Sequence, residues 1–125
     1  DLVRKENLTS QFVIASSATS TEEIGNPVYP PARAELKRHN VYCDDNKYAV
    51  QLKKSDYDKY DVFVVMDSNN VRNIRRIFKN DPENKIHKLL EYAGRDNDVS
   101  DPWYSRRFDT AFADIYEGCS ALLKN

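Results

Sequence analysis

The sequence has few of the residues on which small scaffolds are usually stapled. Among 125 residues there are two cysteines, Cys43 and Cys119, far apart and without C-x-x-C spacing or a matching histidine pattern. That excludes a zinc module and a disulfide framework, and it points to a reducing cytoplasm. No apolar run approaches membrane-spanning length, and the opening "DLVRKENL" has no signal-peptide core, so no membrane partner is expected. Nineteen basic residues against twenty acidic ones leave a net charge of -1, too balanced for a domain-wide hold on nucleic acid or anionic lipid. Any anion site must be local. Asp44 and Asp45 lack the spaced oxygen ligands of a calcium loop, and neither metal nor cofactor is expected. No repeat, low-complexity tract or linker divides residues 1–125, which read as one domain.

What is present suits a packed interior. Hydrophobic residues are 40% and charged residues 31%, a globular balance, and a chain of this size can bury roughly two-thirds of its unfolded surface. "QFVIASSATS", with its apolar, β-branched centre, predicts a strand over 12–17 buried on both faces. Pro31 is suited to the first position of a helix running to about His39 and closed by Asn40. Ser55 is expected to cap a short helical turn leading into "DVFVVM", the strand 61–66. Val71, Ile74, Ile77 and Phe78 then follow helical spacing, capped by Asp67 or Ser68 and stopped at Asp81-Pro82. "KIHKLLEY" predicts a strand over 85–92. Phe108, Ala111, Phe112, Ile115, Cys119 and Leu122 form the apolar stripe of a closing helix over 107–123. Strands alternating with helices imply an α/β fold with a mostly parallel sheet covered on both faces.

Three stretches in order, "SSATSTEEIGNP", "VVMDSNN" and "DPWY", resemble the low-molecular-weight protein tyrosine phosphatases across essentially the whole chain. The resemblance implies a three-layer sandwich around a four-stranded parallel sheet in the order 2-1-3-4. It also implies hydrolysis of phosphotyrosine or small aryl phosphates through a phosphocysteine intermediate, releasing inorganic phosphate. The family's nucleophile sits in a loop written C-x-x-x-x-x-R followed by Ser or Thr, where backbone amides, the arginine and a helix N-terminus hold the phosphate. No such run occurs here: counting from Cys43 the arginine position is Ala49, and from Cys119 it is Asn125. In the family that loop precedes the helix whose tail resembles "DLVRKENL", so the chain is expected to lack the first strand and the phosphate loop.

By the same resemblance Asp101 is the general acid and base. A tyrosine leaving group has a conjugate-acid pKa near ~10, and protonating it accelerates the step by roughly 100-fold to 10,000-fold. Pro102 biases Asp101 towards an extended backbone, and Trp103 and Tyr104 wall the cleft around the substrate ring. Alone, Asp101-Pro102 would read as a turn signal with aromatics covering the core; the other two motifs favour the functional reading. Glu22 stands where the family carries an aromatic at the cleft mouth, and it either repels a dianionic ester or points into water. Ser16 aligns with a serine that props the phosphate loop, or is satisfied by its own backbone. "KYAVQ" stands where the family often has a histidine and an arginine. Arg106 and Arg107 read as solvated helix-entry charges, as does the stripe Arg72, Arg75, Arg76 and Lys79. His39 and His87 read as surface or capping residues.

A missing first strand would leave two rows of backbone groups unpaired in mid-sheet, each costing roughly 1 to 3 kcal/mol where water is excluded. The expectation is therefore that an N-terminal segment or a neighbouring chain completes the sheet, and that these residues alone are inactive. A non-catalytic binding or scaffold remnant is the alternative from another class. An arsenate reductase of the same fold would need further cysteines.

Overall fold

The computed structural model describes residues 2–19, 28–43, 49–99 and 106–124. At its centre is "FVV", three β-favouring residues forming β1 (Phe63–Val65). β1 pairs in parallel with β2 (Ile86–Lys88), in the register Phe63 to Ile86, Val64 to His87 and Val65 to Lys88. Side chains along a strand alternate between faces, and the two halves of the core follow that alternation. Val65 joins Leu52, Ile74, Phe78 and Ile86, with Phe63 packed against them. Val64 and Met66 instead meet Leu89, Leu90, Val99 and Cys119.

The first face is covered by α3 (Ser68–Phe78), which presents Ile74 and Phe78 inward. Its cap is Asp67, in extended conformation, whose carboxylate accepts the Asn70 N–H at 2.7 Å. Arg72, Arg75, Arg76 and Lys79 all face solvent, as a solvated stripe should. The chain leaves α3 through Lys79 at φ 70°, and Asp81 organises the return. Its carboxylate accepts the Lys85 N–H at 2.7 Å, the Ile86 N–H at 3.1 Å and the Tyr57 hydroxyl at 2.6 Å. Those amides open β2, so Asp81 satisfies donors that would otherwise be orphaned beside the core. Tyr57 belongs to a 3-10 turn, Lys54–Lys59, and packs edge-on to Phe78 with ring centroids 5.1 Å apart.

The second face is covered by a 3-10 turn, Leu89–Ala93, and by α4 (Phe108–Lys124). Leu89 and Leu90 are 1% and 0% exposed. They approach α4 at Gly118, where a Cβ would stand 2.4 Å from Leu89 Cγ. Arg95 ties the turn to α4 through Glu117 at 2.8 Å and Asp114 at 3.4 Å. Outside α4 lies α2 (Pro30–Arg38), opened by Pro30 and Pro31 and closed by Asn40 at φ 56°. His39 stacks on Phe112 at 3.9 Å between centroids. Glu35, only 4% exposed, is hydrogen-bonded by Arg38 and lies 2.8 Å from His39 Nε2. Arg38, against the cost of burial and with help from His39, holds the Glu35 carboxyl below its usual range. α1 (Leu2–Lys5) is a short tail ending at Asn7, φ 58°.

Several expectations need correction. Among the described residues the sheet has two strands, where three of the family's four were expected, the first being expected to be absent from this chain. Residues 12–17, expected as a doubly buried strand, form no ladder, and Val13 and Ile14 are 87% and 72% exposed. A strand of that kind exists only with neighbours, and the described residues offer a single bridge at its end, Ala18 to Gln51. Asp56, not Ser55, caps the turn after Leu52, accepting the Lys53 N–H at 2.9 Å. The expected strand 85–92 is strand only over Ile86–Lys88. Ile115 of the closing stripe is 37% exposed, while Gly118, outside that stripe, is buried.

Candidate active site

In open parallel sheets, ligands bind beyond the carboxyl ends of the strands. Here that edge is formed by Met66, Asp67 and the first turn of α3, and "MDSNN" builds it residue by residue. Asp67 caps the helix. Asn70 turns its side chain back, and its Oδ1 accepts the Met66 N–H at 3.1 Å. The Met66 carbonyl then accepts the Val99 N–H at 2.9 Å. Val99 is buried, so the segment before "SDPWY" is drawn onto the end of β1.

A second set of contacts holds the same segment. Lys88 Nζ, at the end of β2, donates to Asp98 Oδ1 at 3.0 Å and to the Asp96 carbonyl at 3.1 Å. Ser68 Oγ donates to the same Asp98 oxygen at 3.0 Å. The hydrogen bond from Lys88, then the Ser68 backbone N–H, hold the Asp98 carboxyl below its usual range, and Asp98 in turn raises Lys88. Ser68 is the first residue of α3, so its hydroxyl ties the segment to the start of that helix.

Of the residues expected to act, Asp101, Trp103, Tyr104 and Glu22 lie outside the described residues. Ser16 is described and exposed, on the unpaired segment 12–17. Beyond the aromatic pair, Arg106 at φ 59° donates to the Tyr29 hydroxyl at 3.0 Å, and Arg107 pairs with Asp109 at 3.2 Å. Burial pushes the Cys119 thiol up, which removes thiolate character at neutral pH and fits a core residue rather than a nucleophile. A recess between α2 and the start of α4 is lined by Glu35, Arg38, Arg106 and Asp109 among others. Equal numbers of each sign leave it no net field for an anion. Among the described residues no three His, Cys, Asp or Glu side chains gather as a metal site requires, and no helix is long and apolar enough to cross a membrane.

Reading the sequence alone missed Asn70, Lys88 and Asp98. Asn70 carried a usable signal, an amide side chain three residues past a capping aspartate. Lys88 and Asp98 carried none, because their pairing joins separate elements.

Comparison with known proteins bears on the whole chain. Residues 1–125 match the family described as low molecular weight phosphotyrosine protein phosphatase. A low molecular weight protein-tyrosine-phosphatase of Bacillus subtilis, YfkJ, is 31% identical over 127 residues, covering 98% of this chain and 80% of that protein. The low molecular weight phosphotyrosine protein phosphatase of Gallus gallus is 33% identical over 126 residues, covering 98% and 77%. The crystal structure of YfkJ superposes with a TM-score of 0.91 at 29% identity, covering 98% of this chain and 78% of that one. A low molecular weight protein tyrosine phosphatase from Streptococcus pyogenes superposes at 0.85 with 30% identity, covering 98% and 79%.

Proposed function

The chain belongs to the low molecular weight phosphotyrosine protein phosphatase family, and from that premise we propose that it hydrolyses phosphotyrosine or related aryl phosphate esters with Asp101 as proton donor and acceptor. In the first step a thiolate attacks phosphorus, the bond from phosphorus to the aryl oxygen breaks, and Asp101 gives its proton to the departing phenolate. In the second step water attacks the phosphocysteine, Asp101 takes the water proton, and the thiolate leaves with release of inorganic phosphate. Trp103 and Tyr104 flank the substrate ring. Glu22 at the cleft mouth lowers affinity for strongly anionic esters, and Ser16 props the phosphate loop.

The observation that carries this reading is the hydrogen bond from Val99 N–H to the Met66 carbonyl. It brings the chain, two residues before Asp101, to the sheet edge where an α/β enzyme binds its ligand. The nucleophile is the unmet requirement. Residues 1–125 contain no C-x-x-x-x-x-R run, so the reaction requires a thiolate and a phosphate cradle beyond what these residues supply. A strand beside β1 is likewise required to complete the four-stranded sheet of the family. Two cysteines without disulfide spacing suit a reducing cytoplasm.

The test is turnover of para-nitrophenyl phosphate. The 125 residues alone are expected to give none, and the same residues joined to a loop-bearing N-terminal segment are expected to turn over. Activity from the 125 residues alone would contradict the proposal. The missing run equally favours a second reading, a non-catalytic scaffold that keeps the aromatic loop for docking. Persistent inactivity after the segment is joined would select it.

A further inference from the structure

We propose that Asp98 is a positioning residue for the proton donor, acting through Lys88 and Ser68; its catalytic consequence rests on the phosphatase reading above. Three elements meet at one carboxylate: the end of β2 through Lys88, the first residue of α3 through Ser68, and the segment entering "SDPWY". Beside it, the Val99 N–H is fixed on the Met66 carbonyl at 2.9 Å. Asp101 follows Val99 by two residues in sequence, so these contacts act on the chain immediately before the proton donor.

The Asp98 side chain is 44% exposed, and a pair this open contributes little to global stability. It does contribute direction. Lys88, only 16% exposed, is held by both the Asp98 carboxylate and the Asp96 carbonyl, so its own position is defined and it fixes two points of the segment at once. Ser68 holds the same Asp98 oxygen from the rigid end of a helix that Asp67 already caps. Proton transfer in the transition state tolerates little misplacement, and an error of about 1 Å in a reacting group can cost on the order of 100-fold in rate. Loss of the Asp98 contacts should therefore leave the fold intact and spread the donor over poor geometries.

The experiment compares Asp98→Ala, Asp98→Asn and Lys88→Met with Lys88→Arg as the conservative control. Acrylamide quenching of Trp103, the one tryptophan among the 125 residues, reports the segment without needing activity. Each disruptive variant is expected to raise the quenching constant by about 2-fold with far-ultraviolet dichroism and Tm unchanged, the signature of local rather than global loosening. Lys88→Arg should stay near the parent. In the active enzyme, kcat for phenyl phosphate should fall by about 10-fold or more and for para-nitrophenyl phosphate by less than about 3-fold, with KM held, because only the poor leaving group needs the proton. Equal losses for both esters, or unchanged quenching in all three disruptive variants, would overturn the proposal. If the parent joined to the loop-bearing segment hydrolyses no aryl phosphate, the phosphatase reading falls, and the quenching comparison still decides the role of Asp98.

Discussion

Replacing Gly118 by alanine tests the packing of the second face through the sign of the effect. An unobstructed glycine inside a helix costs about 0.8 to 1 kcal/mol relative to alanine, so Gly118→Ala on an open face would stabilise the protein by that amount. Here the new methyl would lie 2.4 Å from Leu89 Cγ and 3.0 Å from both of its Cδ atoms. Leu89 is 1% exposed and packed within its own cluster, so moving it aside disturbs a buried neighbourhood. Overpacking of this kind costs about 1 to 3 kcal/mol. Set against the helix-propensity gain, the net expectation is a loss of roughly 0 to 2 kcal/mol in place of a gain. That corresponds to a Tm lowered by about 3 to 6 °C per kcal/mol at this size. Urea unfolding of the single variant, of Leu89→Ala and of the pair provides the assay. Leu89→Ala alone should cost about 2 to 5 kcal/mol, and the double variant clearly less than the sum, because the added methyl fills part of the cavity. A stabilised Gly118→Ala, or strict additivity in the pair, would refute the close contact between α4 and the Leu89–Ala93 turn.

Removing the Asp81 carboxylate by Asp81→Ala should cost about 2 to 4 kcal/mol in urea unfolding, since two amides and a hydroxyl lose their acceptor, while Tyr57→Phe should cost about 1 kcal/mol. The pH dependence has a fixed sign. Burial raises the Asp81 carboxyl, but the Tyr57 hydroxyl and the Lys85 and Ile86 amides outweigh it and hold it below 3.8. A depressed carboxyl contributes stability that is complete above the unfolded value and is lost as pH falls through the folded one. Parent minus Asp81→Ala stability should therefore shrink below about pH 4 and stay flat from pH 5 to 8. Asn70→Ala strips the Met66 N–H of its acceptor and should cost about 1 to 2 kcal/mol by urea titration. Its activity should fall further than Val71→Ala does at matched stability.

Where the sequence was informative, the reason is locality. Asp67 could be read as a cap because its partner, the Asn70 amide, lies three residues away, and "FVV" as a strand because alternate residues belong to the two core clusters. Asn40 was readable as a stop because few residues other than glycine tolerate positive φ. Residues 12–17 were misread because a strand buried on both faces is made by its neighbours, and the described residues give it none along its length. The junction of Lys88, Asp98 and Ser68 was illegible because its contacts span 10 and 30 residues. Gly118 was passed over because a glycine adds nothing to an apolar stripe, although its missing side chain is what lets Leu89 in. Asp101, Trp103 and Tyr104 owe their assigned roles to family resemblance; the physics of the sequence supplied only a stiff aromatic turn.

The claim on which the account depends most is that Asp101 protonates the leaving group. Its most direct measurement is the dependence of kcat/KM on leaving-group pKa for a series of aryl phosphates, comparing the active parent with Asp101→Asn. The account predicts a shallow slope for the parent and a steep one for the variant, with a loss of roughly 100-fold or more for phenyl phosphate that narrows as the phenol becomes more acidic. Parallel slopes, with the same loss for every ester, would contradict it.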